Sequence, residues 1–167
     1  MAAEVSNIHE RLLPRPLSEV GGVLDSLSTE TDRLWPNDHW PAMRFDRPLE
    51  VGASGGHGPI RYVVDGYEAG RRVRFRFTAP QGFIGHHGFE LEPTESGDVI
   101  LRHELRMTTH GPALITWPLL YRPLHDALIE DALTKAQAQL HLPALRRPWS
   151  RWVRFLRRVV VRRRPAH

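Results

Sequence analysis

Apolar and polar residues alternate along residues 60–77 in two runs, IRYVVDGY and RRVRFRF, which are separated by Glu-Ala-Gly. In the second run Val73, Phe75 and Phe77 alternate with arginines, the pattern of a strand with one buried face and one charged face. The glycine of the connection suits a turn that needs a left-handed backbone. This stretch therefore predicts an antiparallel hairpin.

Residues 82–107 predict a second hairpin, in which GFIGHHGFELEP and DVILRHELRM are joined by TESG. His87 shares the apolar face of the first strand with Phe89, and His103 shares that of the second strand with Leu105. A tight turn at TESG would pair His87 directly with His103. Because a slip of one residue would turn the whole apolar set outward, we expect both imidazoles to face the interior.

Other elements are predicted on both sides of the hairpins. Before them, residues 5–13 predict a strand, residues 17–27 a short or bent helix with two internal glycines, and residues 28–49 a second short helix or a loop. After them, residues 119–142 predict a long amphipathic helix with His125 inside its apolar arc. The order predicts an α+β fold in which the long helix covers the apolar face of a curved antiparallel sheet.

The chain resembles a known fold family in this order of elements, in the hairpin GYEAGRRVRFRF and in RPLHDALIEDAL, which opens the last helix. These features resemble the helix-grip fold of the START-related (SRPBCC) superfamily over about residues 4–142, and bacterial polyketide cyclase/dehydrase-like members most of all. The resemblance implies a sheet that wraps around the C-terminal helix and encloses an apolar cavity. It implies binding, transport or sequestration of a hydrophobic small molecule such as a lipid or polyketide.

Candidate ligand-binding residues follow from the predicted inner faces and from the segment expected at the cavity mouth. They are Trp40, Met43, Val73, Phe75, Phe77, Phe83, His87, Phe89, His103, Leu105, His125 and Leu128. Ordinary core packing is the competing interpretation for most of the apolar members. A glycine-rich segment, GASGGHG at residues 52–58, lacks the GK[ST] ending of a phosphate-binding loop, so we interpret it as a mobile loop and expect no cofactor.

The inward-facing histidines leave several interpretations open. They can be core residues satisfied by neighbouring groups, or they can bind oxygen atoms of a ligand in an apolar pocket. In a polyketide cyclase, aromatase or dehydratase, His87 and His103 would be the general acid and base. A zinc site of His87, His103 and His125 has no supporting motif spacing, so we predict no metal site.

Positive charge is concentrated at the C-terminus. Residues 1–131 contain 13 arginines and 19 acidic residues, a balance of −6, whereas residues 132–167 contain Lys135, nine arginines and no acidic residue, a balance of +10. We therefore divide the chain into a ligand-binding domain, residues 1–142, and a basic amphipathic extension, residues 143–167. Such an extension meets an anionic surface or packs on the domain itself.

The extension predicts a helix from Trp149 onward with tryptophans on one side and arginines on the other. Basic amphipathic helices with tryptophan are typical of membrane-surface binding. The predicted contact residues are Trp149, Trp152, Arg154, Phe155 and Arg158. A membrane-surface adaptor is accordingly a further functional hypothesis. Nucleic acid is a poorer partner, because the domain supplies no basic patch and no known nucleic-acid module.

Composition bounds the remaining choices. The chain has no cysteine, which excludes disulfides and thiolate chemistry. The N-terminus lacks the basic start and apolar core of a signal peptide. The longest apolar run, residues 112–121, is ten residues long with an internal proline, too short to span a bilayer. We expect a cytoplasmic protein, with peripheral membrane attachment through the extension as the alternative, and the sequence leaves the oligomeric state open.

Overall fold

One curved sheet of seven antiparallel strands forms the centre of the protein, in the order β1-β7-β6-β5-β4-β3-β2. The computed structural model describes residues 1–162, with side chains through residue 159. The strands are β1 (Ala2–Leu13), β2 (Arg44–Phe45), β3 (Ser54–His57), β4 (Ile60–Glu68), β5 (Arg72–Ala79), β6 (Phe83–Pro93) and β7 (Val99–His110). Both predicted hairpins and the opening strand are present. The segment predicted as a mobile glycine-rich loop instead contributes β3.

The hairpin of β6 and β7 has a register two residues away from the predicted one. Phe89 lies opposite His103 and His87 lies opposite Leu105, so the predicted direct pairing of His87 with His103 is wrong. The turn is longer than predicted, because the backbone N–H of Thr94 donates to the carbonyl of Asp98 at 2.8 Å. A shift of two residues keeps every side chain on its predicted face. The two histidines are therefore buried diagonal neighbours.

A single short helix, α1 (Leu17–Asp25), follows the first strand. A Cβ atom on Gly21 would lie 2.9 Å from the Cα of Gly70, so the glycine lets α1 cross the β4–β5 turn closely. The second predicted helix is not formed, since residues 26–43 make turns. The Asp32 carboxylate holds these turns by accepting the backbone N–H groups of Ser28, Leu34 and Trp35 at 2.7–2.8 Å.

The long helix predicted near the C-terminus is present and begins earlier than expected. It is continuous through α2 (Ala113–Thr116), a π-helical turn (Trp117–Tyr121) and α3 (Arg122–Gln139). Pro118 and Pro123 sit near the starts of the last two segments, where a missing backbone N–H is tolerated. The apolar side of α3 is buried through Leu128, Ile129, Ala132, Leu133 and Ala136, so the helix covers the inner face of the sheet as predicted.

The basic extension contains α4 (Arg151–Arg162), which packs against α3. At its start the Ser150 hydroxyl accepts the backbone N–H of Val153 at 3.1 Å, which caps the helix. The side chains of Val153 and Leu156 are buried. The side chains after residue 159, on which part of the predicted amphipathic pattern falls, lie outside the described residues. Within residues 1–162, no helix has the length and apolar character needed to cross a bilayer.

Candidate functional site

A cavity of about 370 Å³ lies between the sheet, the long helix and the turns after α1. This volume falls within the range of small-molecule pockets. Two-thirds of the residues predicted to bind a ligand line it, and they come from β5, β6, β7, α3 and the turn before β2. These residues are Trp40, Phe77, Phe83, His87, His103, Leu105, His125 and Leu128.

The other predicted ligand-binding residues are not in the cavity wall. Met43, Val73, Phe75 and Phe89 are at most 2% exposed and belong to the packed core. Alternation along a strand identifies the inward face correctly, but it does not distinguish an inward residue beside a void from one covered by another side chain. For these four positions the competing interpretation of core packing is correct.

Several wall residues were missed by the sequence analysis. They are Trp35, His57, Ile60, Trp117, Leu120, Tyr121, Leu124, Ile129 and Arg157, with residues 37–39, 41, 58 and 59 at the rim. His57 lies in the segment interpreted as a mobile loop. Trp117 precedes the predicted helix start at residue 119, so starting the helical periodicity at residue 113 would have included it, whereas Tyr121 lies inside the predicted helix and was not assigned to the cavity. Arg157 carries no sequence signal of burial, because it sits among eight other arginines in the C-terminal extension.

His87 and His103 form a buried pair on the cavity wall. The Nδ1 atom of His87 lies 3.4 Å from the Nε2 atom of His103, and the side chains are 4% and 1% exposed. His125 continues the row from α3, with its ring centroid 5.0 Å from that of His103. Among the described residues, His87 Nε2, His103 Nδ1 and His125 Nε2 have no hydrogen-bond partner. An apolar cavity with unsatisfied imidazole nitrogens in its wall suits a ligand that carries oxygen atoms.

Burial determines the charge of these rings. Loss of hydration, followed by the nearby histidines, lowers the pKa of His87 and His103 well below its ordinary value. Burial, with the charges of His125 and Arg61, likewise lowers the pKa of His57 to about 3. These imidazoles are therefore neutral at neutral pH, and each presents one N–H donor and one acceptor nitrogen.

His9, on β1, belongs to a different kind of cluster. Its Nδ1 atom lies 2.8 Å from Glu130 Oε1 and its Nε2 atom 3.3 Å from Asp126 Oδ1. Glu130 also accepts a hydrogen bond from Arg11 at 2.7 Å, and Asp126 accepts one from Asn7 at 2.9 Å. Burial by itself lowers the pKa of His9, but the hydrogen bonds to both carboxylates outweigh it and raise the pKa. The two carboxylates therefore favour the protonated form of the ring.

The grouping of residues that could hold a metal ion differs from the one considered in the sequence. Within residues 1–162, ligand atoms of His9, His125 and Asp126 lie within 4.8 Å of one another, whereas His87, His103 and His125 do not form such a group. Both ring nitrogens of His9 are already hydrogen-bonded to carboxylates. Protons and hydrogen bonds therefore account for the His9 cluster without a metal ion.

Trp40 and Arg157 line one side of the cavity, and Trp149, just before α4, packs against both of them. Asp131 Oδ2 accepts hydrogen bonds from the indoles of Trp40 at 2.7 Å and Trp149 at 2.9 Å. The Arg157 guanidinium stacks on both rings, 3.6 Å from the centroid of Trp149 and 4.6 Å from that of Trp40. It also donates to the carbonyl of His39. The structure thus corrects the predicted position of Arg157, which does not lie on the solvent side of the helix.

The opposite side of α4 leaves apolar side chains in solvent. Trp152 and Phe155 stack with centroids 5.4 Å apart, and they are 48% and 53% exposed. The Trp152 indole donates to the carbonyl of Leu119 at 2.9 Å, which links α4 to the π-helical turn. Arg154 and Arg158 are exposed beside this pair. Trp149, predicted as a membrane-contact residue, is instead half-buried against the domain.

Comparison of the sequence finds no relative: no family model and no curated protein matches the chain. Comparison of the structure finds many. Norcoclaurine synthase from Thalictrum flavum superposes with a TM-score of 0.61 at 13% identity, covering 85% of this chain and 97% of the synthase. A structural-genomics target from Nitrosospira multiformis superposes with a TM-score of 0.61 at 9% identity, covering 82% and 99%. The solution structure of CalU16 from Micromonospora echinospora superposes with a TM-score of 0.57 at 15% identity, covering 93% of this chain and 81% of CalU16.

These likenesses show the fold. The protein has the helix-grip fold that the sequence predicts, with an antiparallel sheet around a long C-terminal helix. At identities of 9–15% the shared architecture carries no activity from one protein to another. Function must therefore be argued from the cavity of this chain.

Proposed function

We propose that the protein binds a hydrophobic small molecule, such as a lipid or polyketide with carbonyl or hydroxyl groups, in the cavity lined by His87 and His103. One observation carries this proposal: apolar and aromatic walls enclose about 370 Å³, and wall residues carry ring nitrogens without partners among the described residues. Ligand oxygen atoms would satisfy those nitrogens, whose isolation otherwise costs free energy. Proteins of this fold generally bind hydrophobic small molecules, which supports the proposal.

The lowered pKa of the buried histidines favours binding over general acid–base catalysis. A general base works best when its pKa lies near the working pH. The pKa of both buried histidines is lowered well below its ordinary value, chiefly by loss of hydration. A neutral imidazole of this kind is a good hydrogen-bonding group and a weak proton acceptor. The cyclase or dehydratase reading is therefore the second choice for this site.

Filling the cavity tests the proposal directly. Leu124 lines the cavity, and a Leu124→Trp substitution places an indole in it. The uncharged fluorescent probe N-phenylnaphthylamine should bind the wild-type protein and bind Leu124→Trp about tenfold or more weakly. The control is Leu12→Trp, because Leu12 is 55% exposed on β1. Equal probe affinity in the two variants would contradict a ligand site in this cavity.

The histidines are tested with a natural ligand. Native mass spectrometry of the full-length protein should reveal a co-purified apolar compound that contains oxygen. His103→Gln should bind this compound about tenfold more weakly, the loss of one or two hydrogen bonds to buried nitrogens. His86→Gln, next to His87 and on the other face of β6, is the matched control. A chemical change of the compound that His103→Gln abolishes, with affinity kept, would assign catalysis instead.

We further propose that the exposed side of α4 binds an anionic membrane surface. Trp152, Phe155 and Val159 are exposed together with Leu119 of the π-helical turn. Arg151, Arg154 and Arg158 flank them, so apolar insertion and charge attraction can act on the same surface. The patch is formed jointly by α4 and the π-helical turn. Trp149, one of the predicted contact residues, is not part of it.

Vesicle sedimentation tests this second proposal. The full-length protein should sediment with phosphatidylglycerol vesicles at low salt, less in high salt and little with phosphatidylcholine. Arg154→Gln/Arg158→Gln should weaken membrane binding about thirtyfold, since each of the two basic residues contributes about 1 kcal/mol at such a surface. Arg71→Gln/Arg76→Gln removes the same charge from exposed positions on the sheet and serves as control. Equal loss in both double variants would contradict a specific surface on α4.

A further inference from the structure

Arg157 is a basic residue at the rim of an otherwise largely apolar cavity. It lines the cavity from α4, and its guanidinium lies over the rings of Trp40 and Trp149, which meet edge to face. One terminal nitrogen of the guanidinium, Nη2, donates a hydrogen bond to the carbonyl of His39. The other terminal nitrogen, Nη1, is buried and has no hydrogen-bond partner among residues 1–162. An N–H group of a cation is thus held out of water and left without an acceptor.

The carboxylate of Asp131, whose charge acts on Arg157, does not fill this role. Asp131 uses Oδ2 to accept hydrogen bonds from the indoles of Trp40 and Trp149, and it forms no ion pair with Arg157 in the described structure. The two indoles thereby fix the rings on which the guanidinium stacks. Arg157 is held in place without being neutralised by a direct ion pair. A buried donor of a cation costs more free energy unpaired than a neutral one, so this geometry favours an anionic acceptor.

We infer that the ligand is an amphipathic carboxylic acid, whose carboxylate accepts a hydrogen bond from Arg157 Nη1 at the rim and whose apolar body fills the cavity. This inference rests on the proposed ligand-binding function and adds the class of ligand. A guanidinium matches the geometry of a carboxylate and stays protonated in every accessible pH range. The basic extension then contributes directly to the binding site, because α4 brings Arg157 to the cavity.

Decanoate and decanol are the probes for this inference, because they share an alkyl chain and differ in the charge of the head group. Isothermal titration calorimetry of the full-length protein should show decanoate binding about tenfold or more tightly than decanol, the contribution of a charge-assisted hydrogen bond. Arg157→Gln should abolish this preference, because it should weaken decanoate binding about tenfold more than decanol binding. Arg146→Gln, an exposed position in the same extension, should keep the preference.

A measurement on the wild-type protein keeps the test valid if Arg157→Gln does not fold. Methyl decanoate retains the ester oxygens and loses the charge, so it should bind about tenfold more weakly than decanoate. Equal affinities of acid, ester and alcohol would overturn the inference while leaving the hydrophobic-ligand proposal intact. A preference for the acid that persists in folded Arg157→Gln would also overturn it. Failure of all three compounds to bind would instead contradict the proposed function.

Discussion

Two histidines on adjacent strands of the same sheet have opposite surroundings. His9 on β1 lies between the carboxylates of Asp126 and Glu130, and these hydrogen bonds outweigh burial and raise its pKa. His103 on β7 is buried among aromatic rings and other histidines, chiefly Phe89 at 4.8 Å and His125 at 5.0 Å between centroids, and burial lowers its pKa. The β1–β7 pairing places the two residues directly opposite each other.

The difference shows that the acids of α3, rather than depth alone, decide which imidazole carries charge. Asp126 and Glu130 reach His9 from the helix, and Arg11 joins the network through Glu130. His103 has no such partner within the described residues and keeps an unpaired nitrogen. Both ring nitrogens of His9 are hydrogen-bonded to carboxylates, and these bonds contribute to holding β1 against the helix. The unpaired nitrogen of His103 is a hydrogen-bonding group that a ligand can use.

The largest effect is expected when the acid that organises the charged cluster is removed. Glu130→Gln removes the negative charge that is paired with Arg11, which is 7% exposed, and with His9. An uncompensated buried charge should lower the free energy of unfolding by about 3–5 kcal/mol, measured by urea denaturation. Glu10→Gln removes an acid whose side chain is 44% exposed and should cost under about 1 kcal/mol. Similar losses in both would show that the Glu130 cluster is not energetically special.

The same substitution at the two histidines sharpens the contrast. His9→Leu leaves two carboxylates without their shared donor and should cost about 2–3 kcal/mol of unfolding free energy. His103→Leu removes a ring whose Nδ1 is already unpaired and should cost less than about 1.5 kcal/mol. Urea denaturation at pH 6 measures both. A larger penalty at His103 would mean that its imidazole is structural.

The smallest effect is the pH dependence of those two penalties. The lowered pKa of His103 means that the unfolded chain takes up a proton that the folded protein refuses, so wild-type stability falls as pH drops below about 6.5. His103→Leu removes the contribution of His103 to this loss, about 1.4 kcal/mol of unfolding free energy per pH unit. The stability of the variant relative to wild type should therefore rise as the pH falls. The raised pKa of His9 acts in reverse, because its stabilisation is complete below about 6.5 and disappears as pH rises through the folded value.

The stability lost in His9→Leu should therefore become smaller as pH rises. The stability of His103→Leu relative to wild type should increase as pH falls. Urea midpoints across pH 5–9 measure both trends. Trends with the same sign would refute the assignment of a charged His9 and a neutral His103. His86→Gln provides the baseline for a histidine near the solvent-facing side of the sheet.

The fold could be predicted from the sequence further than the site could. Alternation along β5, β6 and β7 identified the inward faces, and it placed His87 and His103 inside even though the register was shifted by two residues. The two-residue period of a strand was not enough to predict which inward residues line the cavity. Phe75 and Phe77 share a face and differ only in what lies above them, so one is core and the other lines the cavity.

The side-chain clusters around His9 and Arg157 could not be predicted from the order of residues along the chain. His9 lies 121 residues from Glu130, and no local spacing links them. Arg157 has the same local pattern as its arginine neighbours, yet its guanidinium lies over Trp40, which is far away in sequence. Contacts of this kind depend on how the elements dock, and a helical or strand period carries no information about docking.

The sequence by itself determined the strand and helix order, the inward position of His87 and His103, and the concentration of positive charge after residue 131. These features follow from local periodicity and composition, because a polar residue on an apolar face must be buried with it. Only the tertiary structure decided which inward residues border a void, which histidine meets a carboxylate, and that Arg157 turns toward the cavity. The reason is physical: cavities and charge pairs arise where distant surfaces fail to fill space or bring opposite charges together.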